Sequence, residues 1–189
     1  MRKILLFLIF IVMICITGCG SPFTENEKDE TVENIEVSQK IVLIYEYVNY
    51  AETPTCRGFY VNSAGHKIQF DFSEIAKSFW KEKTGSQRFI SDDDIIYQLL
   101  LETEETDSEE FLTSEDISKC YQLLSKISDD YDIVREYPGM DRGTYSWYGI
   151  LDDGLNPPKL ILLSETGDCE GINIDKNAKQ IMKILEKKQ

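Results

Sequence analysis

Residues 40–50 read KIVLIYEYVNY, from Lys40 to Tyr50. Ile41, Val42, Leu43 and Ile44 follow one another with no polar residue between them. An extended chain here is apolar on both faces, which predicts a strand in the middle of a sheet. The β-branched and aromatic side chains that dominate the stretch fit a pleated surface. Pro54 ends it, because proline cannot donate to a ladder.

Working outward, Arg57 to Val61 and His66 to Phe72 read as a hairpin. Ile68, Phe70 and Phe72 alternate with Lys67, Gln69 and Asp71, the period of a half-buried strand. Asn62-Ser63-Ala64-Gly65 between them suits a type I turn, with glycine in the left-handed position. Ser73 is the expected N-cap of a helix carrying Ile75, Ala76, Phe79 and Trp80, and Ser91 of a helix carrying Ile95, Ile96, Leu99 and Leu100. Residues 102–116 hold eight acids and no base. Thr113 and Asp116 then form a capping-box pattern, with Asp in place of the usual Glu. Ile117, Cys120, Tyr121, Leu124 and Ile127 follow at helical spacing.

Residues 128–143 read as a loop. Thr144 to Leu151 (TYSWYGIL) is an expected strand, and Lys159 to Ser164 (KLILLS) its antiparallel partner. Asp175 caps a last helix with Ala178, Ile181, Met182 and Leu185 on its inner face. The order predicts an α+β domain over residues 40–189, with an antiparallel sheet of about five strands and about four helices on one face.

Ahead of that domain the composition changes twice. Met1-Arg2-Lys3 is basic, and Ile4 to Ile16 is a thirteen-residue apolar run, short of the roughly 20 residues that span a bilayer. Ile16-Thr17-Gly18-Cys19 follows, and then Gly20-Ser21-Pro22. A basic start, an apolar core and small residues make a secretory signal. With the cysteine immediately after them, the segment resembles the lipobox of bacterial lipoproteins. The resemblance covers about the first 21 residues. It implies a signal peptide over residues 1–18, cleavage between Gly18 and Cys19, and a lipid on the Cys19 thiol that holds the protein on the extracytoplasmic face of the cell membrane. Residues 19–39 are polar and acidic, a composition that buries too little apolar surface to order itself, so they read as a flexible tether.

The chain carries 20 basic and 34 acidic residues, a net charge of −14. Loss of residues 1–18 would remove Arg2 and Lys3 and leave 18 against 34, or −16. Phosphate backbones demand clustered Lys and Arg, so nucleic acid is not an expected partner. A basic protein or a cell-wall component is.

Catalytic patterns are sparse. Cys56 and His66, the sole histidine, fall far apart along the expected hairpin. No cysteine spacing matches a metal motif, and no acidic cluster has the spacing of a calcium loop, so no cofactor and no metal is expected. Cys120 falls on a helix stripe, whereas Cys169 reads as more exposed; Cys56 and Cys169, near strand ends, are the candidate disulfide. Tyr137, Tyr145, Trp147 and Tyr148 are the candidate binding surface, because such rings are amphipathic anchors; Tyr145 and Trp147 share one strand face and Tyr148 the other, so about half of the set is expected to be core. Three functions remain open: a lipid-anchored binding or protein-interaction module, an envelope enzyme using carboxylates on wall glycan or peptide, and an immunity or inhibitor lipoprotein that captures a basic partner.

The lipobox reading predicts that Cys19→Ala blocks both lipidation and cleavage, seen as an uncut precursor by intact mass. A mature, lipid-bearing product from that variant would refute it.

Overall fold

The computed structural model describes residues 37–49, 54–82, 93–105, 108–128, 130–137, 139, 142–152, 154 and 158–188. They belong to one unit, Val32–Gln189. Gly18, Cys19, the tether up to residue 36, the Ser91 cap and the side chains of Phe79, Trp80, Ile95 and Ile96 lie outside the described residues.

Strand β1 (Ile41–Asn49) lies inside the sheet, as its two apolar faces require. It pairs antiparallel with β2 (Thr55–Asn62) on one side and with β6 (Thr144–Leu151) on the other. The remaining strands are β3 (His66–Asp71), β4 (Ser108–Glu110), β5 (Ile133–Glu136), β7 (Lys159–Gly167) and β8 (Glu170–Asn173). The order is β4-β3-β2-β1-β6-β7-β8-β5, and every pairing is antiparallel. Among the described residues the chain is thus mostly sheet: eight strands in one sheet and four short helices, not about five strands. The three unexpected strands, β4, β5 and β8, are three or four residues long. None has a long alternating pattern. Their pairing depends on which strand edge is nearby, and residues 108–110 (SEE) read simply as part of an acidic run. Charged residues on the terminal strand β4 also discourage further pairing.

The helices are α1 (Ser73–Glu82), α2 (Asp93–Glu102), α3 (Ser114–Leu124) and α4 (Lys176–Glu186). They cover both faces of the sheet rather than one. On the first face α3 and α4 bury Ile117, Leu124, Ile181 and Leu185 against Leu43, Val61 and Ile161. On the second, Ala76 of α1 with Tyr97 and Leu100 of α2 join Ile44, Tyr60, Ile68 and Ile150. The physical reason is β1 itself, where residues 41–44 are all at most 1% exposed. A register shift between Ile41 and Leu43 turns Val42 and Leu43 toward the same cluster.

Local signals behave as their chemistry demands. The Asn62 side chain accepts from the amides of Ala64 and His66, and Gly65 takes φ 85°. Gly65 also has Leu112 O only 2.0 Å from where a Cβ would stand, so only glycine fits. Thr113 and Asp116 form a reciprocal capping box, and Asp175 caps α4. Ser73 is not the N-cap expected of it. It is the first residue of α1, its amide donates to Asp71 Oδ1, and its hydroxyl accepts from the Cys56 amide.

Helix α3 sits so close to β6 that a Cβ on Gly149 would lie 2.0 Å from Leu124 Cδ2. Leu124→Ala is therefore expected to cost about 2–5 kcal/mol in urea unfolding. A loss below about 1 kcal/mol would show that α3 is not seated there.

Candidate functional site

Register places a set of aromatic side chains together on the face that α3 and α4 pack against. Tyr45 is opposite Phe59 on β2 and Trp147 on β6. Two residues along β1, Tyr47 is opposite Arg57 and Tyr145. Across β2, Arg57 faces Asp71 and Phe59 faces Gln69. Directly opposed residues share a sheet face, so all of these project from the first face.

The rings contact one another. Centroid separations are 5.2 Å for Tyr45–Phe59, 4.8 Å for Tyr45–Trp147 and 4.6 Å for Tyr47–Tyr145. Each such pair adds about 0.5–1.5 kcal/mol beyond area burial. Cations seat two of the rings, with Arg57 over Tyr47 at 5.7 Å and Lys67 over Phe59 at 5.0 Å. The Tyr47 hydroxyl donates to Arg142 O at 3.1 Å and accepts from Asn49 Nδ2 at 3.1 Å. That ring is held at both its face and its tip.

A cleft of ≈ 490 Å³ opens here. Tyr45, Tyr47 and Tyr145 form its wall, the β2–β3 ribbon its floor, and Arg57, Gln69 and Asp71 its polar rim. Its volume lies in the range of small-ligand sites. Burial, together with the neighbouring Tyr145 phenol, pushes the Tyr45 hydroxyl above the usual tyrosine range. The Ser73 hydroxyl and amide, with Arg57 and Lys77 nearby, outweigh partial burial and hold the Asp71 carboxyl below its ordinary value.

The four aromatic residues singled out in the sequence do not form one surface. Tyr145 is in the cleft wall and 42% exposed. Trp147 belongs to the same face but is 5% exposed, packed under Tyr45. Tyr148 packs against the opposite core. Tyr137, 72% exposed, follows β5 at the far edge of the sheet. Tyr45, Tyr47, Phe59 and Arg57 were missed. Their signal was the alternation in IYEYVNY and in CRGFYV, which only strand register could join.

The charged groups at the same level on the second face are of another kind. A row runs from Gly58 through Glu46, Ser146 and Glu165 to Gly171 and Arg135. Glu46 is 2% and Glu165 4% exposed. The Arg135 guanidinium donates to Glu165, which raises its already high pKa. A buried carboxylate bonded to an arginine inside the sheet holds strands together and is closed to substrate.

The cysteines take no part in the cleft. Cys56, Cys120 and Cys169 are all buried and none is bridged to another, so Cys169 is not the exposed thiol expected. Cys56 and Cys169 are separated by the strand steps β2-β1-β6-β7, about 14 Å at ~4.8 Å each, about twice what a disulfide spans. Burial pushes the thiols of Cys56 and Cys120 up to about 12. His66 sits opposite Asn62, about six residues or 20 Å along the hairpin from Cys56. Among the described residues no group of three or more His, Cys, Asp or Glu side chains is placed to hold a metal ion, and no helix is long and apolar enough to cross a membrane. Comparison with family models, with curated proteins and with solved structures gives no match for this chain.

Asp71 supplies a pH test of the rim. Its pKa in the folded protein lies below the ordinary 3.8. Its stabilisation is therefore complete above about pH 4 and is lost as pH falls through the lower folded value. The Tm difference between the native chain and Asp71→Asn should be largest near about pH 6 and close by about pH 2. A difference constant over that range would disprove the arrangement.

Proposed function

We propose that the chain is a lipid-anchored, extracytoplasmic binding module that uses the tyrosine-walled cleft. The observation that carries the binding reading is the open cleft itself. Tyr145 keeps 42% of its surface in water although three aromatic neighbours on the same face pack together beside it. Exposed, pre-positioned rings of this kind are the usual anchors of recognition surfaces. The anchor rests on the Gly18–Cys19 segment and its resemblance to a lipobox.

The described end of the tether supports the same arrangement. Gln39 is buried, donates to the carbonyls of Ile41 and Ile150, and accepts from the Asp152 amide. The chain is thereby clamped where β1 begins. The cleft lies four to six residues farther along β1, about 14–20 Å away at ~3.4 Å per residue. The carboxylate-enzyme alternative gains nothing from Glu46 and Glu165, which are buried on the opposite face.

A photoreactive amino acid in place of Tyr145, in the full lipidated chain in living cells, should attach envelope material. The same group in place of Ile75, equally exposed on α1, should not. Equal labelling at both positions would sink the cleft as the binding site.

A further inference from the structure

The chemistry of the rim narrows what the cleft can hold. Resting on the binding reading above, we infer that the occupant is an uncharged carbohydrate, a short run of neutral sugar units lying over the β2–β3 ribbon against the tyrosine wall. Three observations carry this.

The first is the local charge. The chain as a whole is at −14, so its field repels anions. The cleft rim is different, because Arg57 and Asp71 stand directly opposite each other and cancel. Gln69, in the next row on this face, is neutral. Lys67, seated on the Phe59 ring, is paired with Glu109 at 3.8 Å, so the border adds no net charge. A basic segment would need a surplus of acid here, and the rim has none.

The second is the donor and acceptor set. Arg57 only donates, ionised Asp71 only accepts, and Gln69 does both. Hydroxyl groups, which donate and accept together, match that mixture without bringing charge. The apolar C–H face of a sugar ring matches the tyrosine wall.

The third is the state of the backbone. β1 and β2, which carry the wall and much of the floor, are each paired on both sides. An extended peptide has no free ladder to join on these two strands, so recognition along the tyrosine wall comes from side chains. The row across the sheet runs Asp71, Arg57, Tyr47, Tyr145 and then Thr166, which is small and exposed. Tyr145 is the last ring of the stack, where one more flat group can be added.

The test uses the full chain in detergent with Trp80→Phe, which leaves Trp147 beside Tyr45 as the sole tryptophan. The probes are a neutral N-acetylhexosamine oligomer and a Lys-rich peptide, each titrated while Trp147 emission is followed. The expected result is a saturable change with the oligomer that persists in about 0.5 M salt, since no charge is screened. Tyr145→Ala should weaken it tenfold or more with the melting temperature kept. Tyr145→Phe, which retains the ring, should stay within about threefold of the parent. A response to the Lys-rich peptide alone, abolished by salt, would overturn the carbohydrate assignment and leave the binding module standing. No response to either probe, with position 145 still crosslinking in cells, would do the same. Silence in both experiments would overturn the cleft altogether.

Discussion

Strand β1 carries apolar side chains on both sides of its pleat, and neither set can be left in water. Ile41, Val42, Leu43 and Ile44 are each at most 1% exposed, and burying each is worth about 1.5–3 kcal/mol. One layer of helices could satisfy only half of them. The fold therefore places β1 inside the sheet and closes both faces, with α3 and α4 on one and α1 and α2 on the other. The pairings of β1 with β2 and β6 then set the register of everything farther out. Gly149 is part of this constraint, because only a residue without a side chain lets Leu124 of α3 reach the sheet.

The same register that builds the core also sorts the polar residues of β1. Glu46 falls between Tyr45 and Tyr47 and so points to the opposite face. There it shares a row with Ser146 and Glu165, closed off by the Arg135 ion pair. The tyrosines, on the first face, stay partly in water. One strand thus contributes a sealed polar row on one side and an open aromatic wall on the other. The members of the wall brace one another, and Arg57, Lys67, Asn49 and Arg142 contact its borders. A surface that is already ordered loses little entropy when a ligand arrives.

Strand and helix positions with strong local chemistry were legible in the sequence. The Asn62–Gly65 turn, the Thr113–Asp116 capping box, the Asp175 cap and the β6–β7 pairing each follow from residues within a few positions of one another. The site was legible only in fragments. Tyr145 was visible as an aromatic on a strand. Its partners come from residues 45, 47, 57 and 59, and no periodicity connects segments about a hundred residues apart. The alternation within TYSWYGIL already assigned Tyr148 to the other face from Tyr145 and Trp147.

By itself the sequence determined that residues 41–44 must be buried on both sides, that the chain must turn at Asn62–Gly65, and where α3 and α4 begin. These are local consequences of side-chain hydrophobicity, glycine geometry and capping, and need no distant partner. Only the tertiary structure decided that β4, β5 and β8 are strands, because three or four residues gain order solely from the edge they meet. It alone decided that Cys56 and Cys169 lie too far apart to bridge. It also assembled the tyrosine wall, since neighbours across a sheet are set by backbone pairing between strands remote in the chain.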